Sequence, residues 1–207
     1  LKSNLFEILF EPDPESFLEL EKTKKENSIA FNSALSDMKK EVILNICQWR
    51  QVSSIYEPNF DFIKNFPQPE RFKVIERIKM EADSLSNLLN SAGIKDLDFL
   101  KIDTQGSELE ILTGAGQYLE SVIGIEVEVE FVELYKDQPL FDEVHEFITS
   151  HGLSLIDIKR SFWNRDKKFN NKGQLIFADG LYLRKPESIL ENECTAEKVL
   201  KAVAVYL

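Results

Sequence analysis

Short apolar runs, each cut off by acids, prolines or glycines, alternate along this chain with amphipathic stretches. Residues 5–10 predict a buried strand, stopped by Glu11-Pro12-Asp13-Pro14. Asp13 is placed to cap the next helix, with Pro14 at its first position, where a missing N–H is harmless. Phe17, Leu18 and Leu20 give that helix an apolar side. Residues 29–35 predict another strand, ending in Ser36-Asp37. Residues 41–47 alternate, with Val42, Leu44 and Ile46 on one face. Residues 72–78 predict a further strand, and Asp83 caps a helix over 84–91 that Gly93 ends. Leu97, Phe99, Leu100 and Ile102 mark a buried strand that ends abruptly in Asp103-Thr104-Gln105-Gly106. A helix starts there, with capping-box spacing at Ser107 and Glu110 and with Leu109, Leu112, Gly116 and Leu119 on one face. Residues 122–131 alternate as a strong strand, and a helix follows through Ser150, ended by His151-Gly152. Residues 153–158 and 174–183 predict the last two strands, and a helix is expected over 196–206.

The unit around Asp103 matters most for function. It is a strand, a turn and a helix with a carboxylate at the carboxyl end of the strand, where open α/β sheets bind ligands. Helix capping is the plainer use of such an Asp. Three acids, Glu126, Glu128 and Glu130, share one face of the strand over 122–131. Either they form a solvent face, or one lies at a pocket edge; Glu128 is the candidate for the second use. A divalent cation between these acids and Asp103 is conceivable chemistry, but the spacing does not demand it. Residues 48–70 lack periodicity and hold Ser53-Ser54, aromatics and prolines. They predict either a substrate lid or a packed connector. His145 reads as a helix-surface residue and His151 as a cation at a helix end.

Composition narrows the class of partner. The 207 residues suit one domain over 1–185 with a tail over 186–207. A net charge of −11 argues against nucleic acid or an anionic membrane as partner, since phosphates need a basic footprint. Cys47 and Cys194 fit no metal spacing and read as free thiols of a reducing compartment, which points to the cytoplasm. No apolar run is long enough to span a membrane, and no signal-peptide pattern opens the sequence. The chain begins at Leu1 rather than Met and reads as a fragment. The apolar residues of the tail suggest packing, with another subunit as one candidate and hence a homo-oligomer.

Residues 100–115, Leu-Lys-Ile-Asp-Thr-Gln-Gly-Ser-Glu-Leu-Glu-Ile-Leu-Thr-Gly-Ala, resemble the signature of the FkbM-type methyltransferases. That pattern runs roughly Leu-Lys-Ile-Asp-Val-Glu-Gly-Ala-Glu. Thr104 and Gln105 stand where the family has an apolar residue and usually Glu, and Ser107 stands for Ala. The Phe-Glu-Pro-Asp-Pro segment and residues 33–37 fall in family order. The resemblance spans most of residues 5–185. It implies a class I methyltransferase fold: a mostly parallel Rossmann-like sheet, helices on both faces and an antiparallel last strand. It implies S-adenosylmethionine as methyl donor and a hydroxyl of a small molecule, sugar or polyketide as acceptor. Glu11 is then the ribose ligand, Ala34 and Leu35 lie beside the adenine, and Asp103 completes the cofactor site. Asp103 is the first candidate for positioning or general-base work, and Glu128 the second. Ser53, Ser54 and Tyr135 are candidate acceptor contacts.

The resemblance also implies a first strand and a glycine-rich turn ahead of Leu5, so the given chain reads as N-terminally truncated. Without them, the strands at 5–10 and 97–102 pair directly, another segment fills the slot, or an upstream piece does; direct pairing is the simplest of these, and cofactor binding by the given chain is expected to be poor. A non-catalytic binding module on the same fold is the rival reading.

Overall fold

The protein is described from a computed structural model, which covers residues 5–165, 172–185 and 187–188. Among the described residues, nine strands and six α-helices form a mixed α/β body. The first unit is β1 (Glu7–Phe10), α1 (Pro14–Thr23) and β2 (Ser28–Phe31), with β1 and β2 parallel. Asp13 caps α1 as its sequence predicts, accepting from the Glu15 N–H. The strand expected over 29–35 splits: β2 pairs with β1, whereas β3 (Ala34–Ser36) pairs with β5 (Val74–Ser84). Asn32 marks the break. Its side-chain amide donates to the carbonyls of Glu11 and Pro12, holding the chain against the end of β1 before it changes sheet.

β4 (Lys40–Cys47) lies antiparallel to β5. Residues 48–72 carry a 3-10 turn (Arg50–Val52), α2 (Phe60–Ile63) and a second 3-10 turn (Pro69–Phe72). Ile63, Phe66 and Phe72 from this stretch build a second small core with Leu134, Tyr135 and Ile176. The stretch is thus packed over its later part. Helix α3 (Leu85–Ser91) starts one residue later than Asp83 suggests: Ser84 is its cap, accepting from Asn87 N–H, and Asp83 braces that cap through Ser84 N–H and the Asn87 amide.

The largest sheet has the order β6 (Phe99–Ile102), β7 (Gly124–Glu130), β9 (Gln174–Arg184), β8 (Leu153–Trp163). β6 and β7 are parallel, and β9 is antiparallel to both β7 and β8. Helices α4 (Glu108–Ala115), α5 (Tyr118–Ser121) and α6 (Phe141–Ser150) complete the body. Leu112, Ala115, Tyr118, Ile125, Val127 and Ile148 lie in its main core. His145 is not a plain surface residue. It stacks on Phe141 and bonds the Tyr182 hydroxyl.

Two expectations are corrected. The sheet is not one mostly parallel layer, because among the described residues the strands divide into three sheets with three parallel and three antiparallel pairings. Nor do β1 and β6 pair. β1 bonds β2 and β6 bonds β7, and the carboxyl ends of β1 and β6 stand across a cavity from each other. Ile8 and Phe10 nevertheless pack on the main core, so the β1 unit rests on the body through side chains. No helix among the described residues is long and apolar enough to cross a membrane. The helix expected over 196–206, and Cys194, lie outside the described residues.

Candidate active site

A turn of four residues carries the candidate chemistry. Asp103 leaves the end of β6 exposed, and residues 104–106 then fold back tightly. Gln105 (φ 59°) and Gly106 (φ 110°) both take positive φ. Glu108 builds this turn. Its buried carboxylate accepts from Thr104 N–H at 2.8 Å, Thr104 Oγ1 at 3.0 Å and Gly106 N–H at 2.9 Å. The expected Ser107–Glu110 capping box does not form, because Ser107 donates to Thr104 instead. Glu110 turns away to accept from Ser36, Lys40 and Tyr56.

The cavity between the ends of β1 and β6 has a volume of about 490 Å³. Glu11, Ala34, Leu35, Ser53, Ser54 and Asp103, all singled out from sequence, line it together. Glu11 accepts the Asp13 N–H at 2.9 Å, which holds its carboxylate at the wall. Burial raises the Glu11 pKa, the Asp13 N–H partly offsets that, and the Asp13 charge adds to it. Arg50, also in the lining, pairs with both Asp13 and Glu15. This ties the loop after β4 to the start of α1. Burial pushes Asp13 up, but the Arg50, Ser16 and Glu15 donors outweigh it and hold the carboxyl below its usual range.

Glu128 and Tyr135 stand behind this lining rather than in it. Gln105 connects them to it: its Nε2 donates to Asp103 Oδ1 at 2.9 Å and to Glu128 Oε1 at 2.7 Å, and its Oε1 lies 2.9 Å from the Tyr135 hydroxyl. Tyr135 is fully buried and its hydroxyl is shared between Gln105 and the Val52 carbonyl. Ser54 is buried too and donates to the Gln105 carbonyl, while Ser53 accepts the Cys47 N–H. These three side chains therefore brace the site in this structure.

The acids of β7 have unequal surroundings. Glu126 faces outward and pairs with Lys101. Glu128 is 8% exposed, and burial, with the charges of Asp103, Glu108 and Asp179, pushes its pKa up to about 8. Glu130 is 1% exposed and is pushed well above the usual range, first by burial and then by Glu108 and Glu128. Burial also raises Glu108. Two carboxylates thus differ in kind: an exposed one at Asp103 and a desolvated one at Glu128, joined by one amide. Among the described residues no group of three or more acids, histidines or cysteines is arranged to hold a metal ion.

Sequence reading misses Gln105, Glu108 and Arg50. Gln105 gives no local signal, since nothing in a Gln announces a left-handed turn. Glu108 looks like an ordinary first-turn acid, and Arg50 sits in a stretch without periodicity.

Fold and site together define an α/β domain with a cavity between the acid-bearing ends of two strands. Residues 2–155 match the model of the methyltransferase FkbM domain, and the chain belongs to that family. Comparisons with curated proteins and with solved structures give no match.

Proposed function

We propose that this protein is an S-adenosylmethionine-dependent O-methyltransferase whose acceptor is a hydroxyl of a small molecule, a sugar or a polyketide. The observation that carries this reading is the single cavity that gathers Glu11, Ala34, Leu35 and Asp103 from three separate stretches of chain. Its donor set fits the cofactor. Glu11 is a carboxylate suited to a ribose diol, and dinucleotide-binding folds place an acid similarly at a strand end. Ala34 and Leu35 offer a small apolar wall for a flat base. A class I methyltransferase arrangement is the fold this reading favours.

When bound, the cofactor supplies an electrophilic methyl group on a sulfonium, a good leaving group. The protein's work is then largely positioning, which is worth several kcal/mol in well-oriented reactions. A hydroxyl must also lose a proton. Asp103 is exposed and faces the cavity, so it is the first general-base or positioning group. Glu128, with its raised pKa, is the second and can hold a proton near neutral pH. Ser53, Ser54 and Tyr135 contribute to the acceptor side by fixing the loop after β4 and the Gln105 amide.

β1 and β6 do not pair and leave a cavity between their ends, which removes the ground for expecting poor cofactor binding, so calorimetric titration of S-adenosylmethionine into the folded protein tests the reading. Saturable heat is expected, and its absence at millimolar cofactor overturns it. Asp103→Asn keeps the shape and removes the charge. It is expected to leave the thermal unfolding curve nearly unchanged and to abolish methyl transfer to the accepted hydroxyl.

A further inference from the structure

Gln105 occupies a backbone conformation that suits glycine. Its φ of 59° is in the left-handed region, which L side chains other than Asn and Asp rarely visit. Such strain persists where the surroundings over-determine it, and it clusters at functional sites. The side chain shows what offsets it here. Both amide hydrogens are used, one on Asp103 Oδ1 at 2.9 Å and one on Glu128 Oε1 at 2.7 Å. The amide oxygen faces the Tyr135 hydroxyl at 2.9 Å. The backbone carbonyl of the same residue takes the Ser54 hydroxyl at 2.7 Å. Asp103 fixes the amide's orientation: flipped, the amide oxygen would face its exposed carboxylate. A Glu in this place would do the same, putting a third carboxyl group beside Asp103 and Glu128.

We infer that Gln105 is a positioning residue, whose carboxamide holds Asp103 and Glu128 as one carboxylate pair and registers that pair with the Ser54 loop and Tyr135. The catalytic meaning of the pair rests on the methyltransferase reading, but the pairing itself does not. Glu128 is faced by Asp103 beyond β6, Glu108 on α4, Asp179 on β9 and Glu130 on its own strand. Every one of these is an acid. The amide is therefore the donor that lets two carboxyl groups share this corner in a fixed geometry. Asp103 lines the cavity with its Oδ1 held by the amide, so the clamp also fixes how this carboxylate is presented there.

Gln105→Gly tests this cleanly, because glycine takes the turn's φ without strain and deletes only the clamp. Gln105→Asn is the second variant: it tolerates the same φ but is one methylene too short to span both acids. The readout is the pH titration of side-chain carboxyl 13C signals in the full chain, with Glu128 assigned by loss of its signal in Glu128→Gln. Removing a donor to a carboxylate raises its pKa. In either folded variant the Glu128 midpoint is expected to move up by about one pH unit or more, the size of a lost hydrogen bond to a charged group. A folded Gln105→Gly protein whose Glu128 titrates as in the wild type overturns the clamp. Calorimetry with S-adenosylmethionine on the wild type runs alongside. Absence of heat there removes the methyltransferase reading while leaving the carboxyl titration to decide the clamp on its own.

Discussion

Single side chains in this protein are set apart by solvation more than by type. Glu126 and Glu128 are two residues apart on one strand, yet one is paired outward with Lys101 and the other is buried among acids. For Glu128 the folded pKa is raised from 4.5 to about 8. A carboxyl group with a raised folded pKa contributes stability that is fully present below the unfolded value and is lost as pH rises through the folded one. Stability is therefore expected to fall between about pH 4.5 and about pH 8. Glu128→Gln should flatten its share of that slope, measured as Tm against pH. An unchanged slope in the variant would show that Glu128 is ionised in the folded protein. Glu11 has a different test. Glu11→Ala is expected to weaken S-adenosylmethionine binding by roughly 1.5–3 kcal/mol, the range for a hydrogen bond to a charged group. Wild-type affinity by calorimetry would rule out its ribose role. Glu11 and Asp103 are visible in the sequence because each ends an apolar run at a helix-starting turn. Gln105 is invisible there because its importance lies in contacts with residues 23 and 30 positions away.

At the scale of elements, periodicity carries most strands and helices, and the departures have local causes. β2 and β3 read as one strand because residues 29–35 are continuous in hydrophobicity, while the break is made by a side-chain amide reaching back to residues 11 and 12. β5 runs on past the strand expected over 72–78, and Lys79 and Glu81 in its added part are exposed along the ladder with β4. Pairing partners are not written in a strand's own pattern, so three separate sheets could not be read from the runs alone. One contact between elements is tight enough to predict from. On α4, a Cβ added at Gly114 would lie 2.1 Å from the Ser36 carbonyl oxygen of β3. Backbone cannot yield there as a side chain would. Gly114→Ala is expected to destabilise by about 1–3 kcal/mol or more, as overpacking does, and to separate α4 from β3. Chemical denaturation measures it. A loss under about 0.5 kcal/mol, the range of neutral surface changes, would mean that α4 slides freely over β3.

The whole molecule is unevenly held. The main sheet and α4 to α6 own the large core, whereas β1 and β2 contain no fully buried residue and α1 buries none. The β1 unit rests on Ile8 and Phe10, on the Arg50 pairs with Asp13 and Glu15, and on the Asn32 amide. Asp13 is buried while Arg50 and Glu15 stay open to solvent, so the Asp13 pair is partly shielded and the Glu15 pair adds little. Regions with few buried apolar contacts open at lower free energy than the global transition. Amides of β1 and β2 are accordingly expected to exchange with deuterium well before those of β7 and β9. The cavity lies between this loosely held unit and the firm one, with Glu11 on the first and Asp103 on the second. A ligand that touches both acids binds only the docked arrangement and stabilises it by mass action, about 2.7 kcal/mol at a hundred times its Kd. Saturating S-adenosylmethionine is expected to slow exchange in β1 and β2 by about one to two powers of ten, since 1.4 kcal/mol is a factor of ten, and to slow β7 only where its exchange passes through an opening that releases the ligand. Slowing confined to β7, or none anywhere with cofactor bound, would show that the ligand does not bridge the two units and that Glu11 and Asp103 do not serve one site.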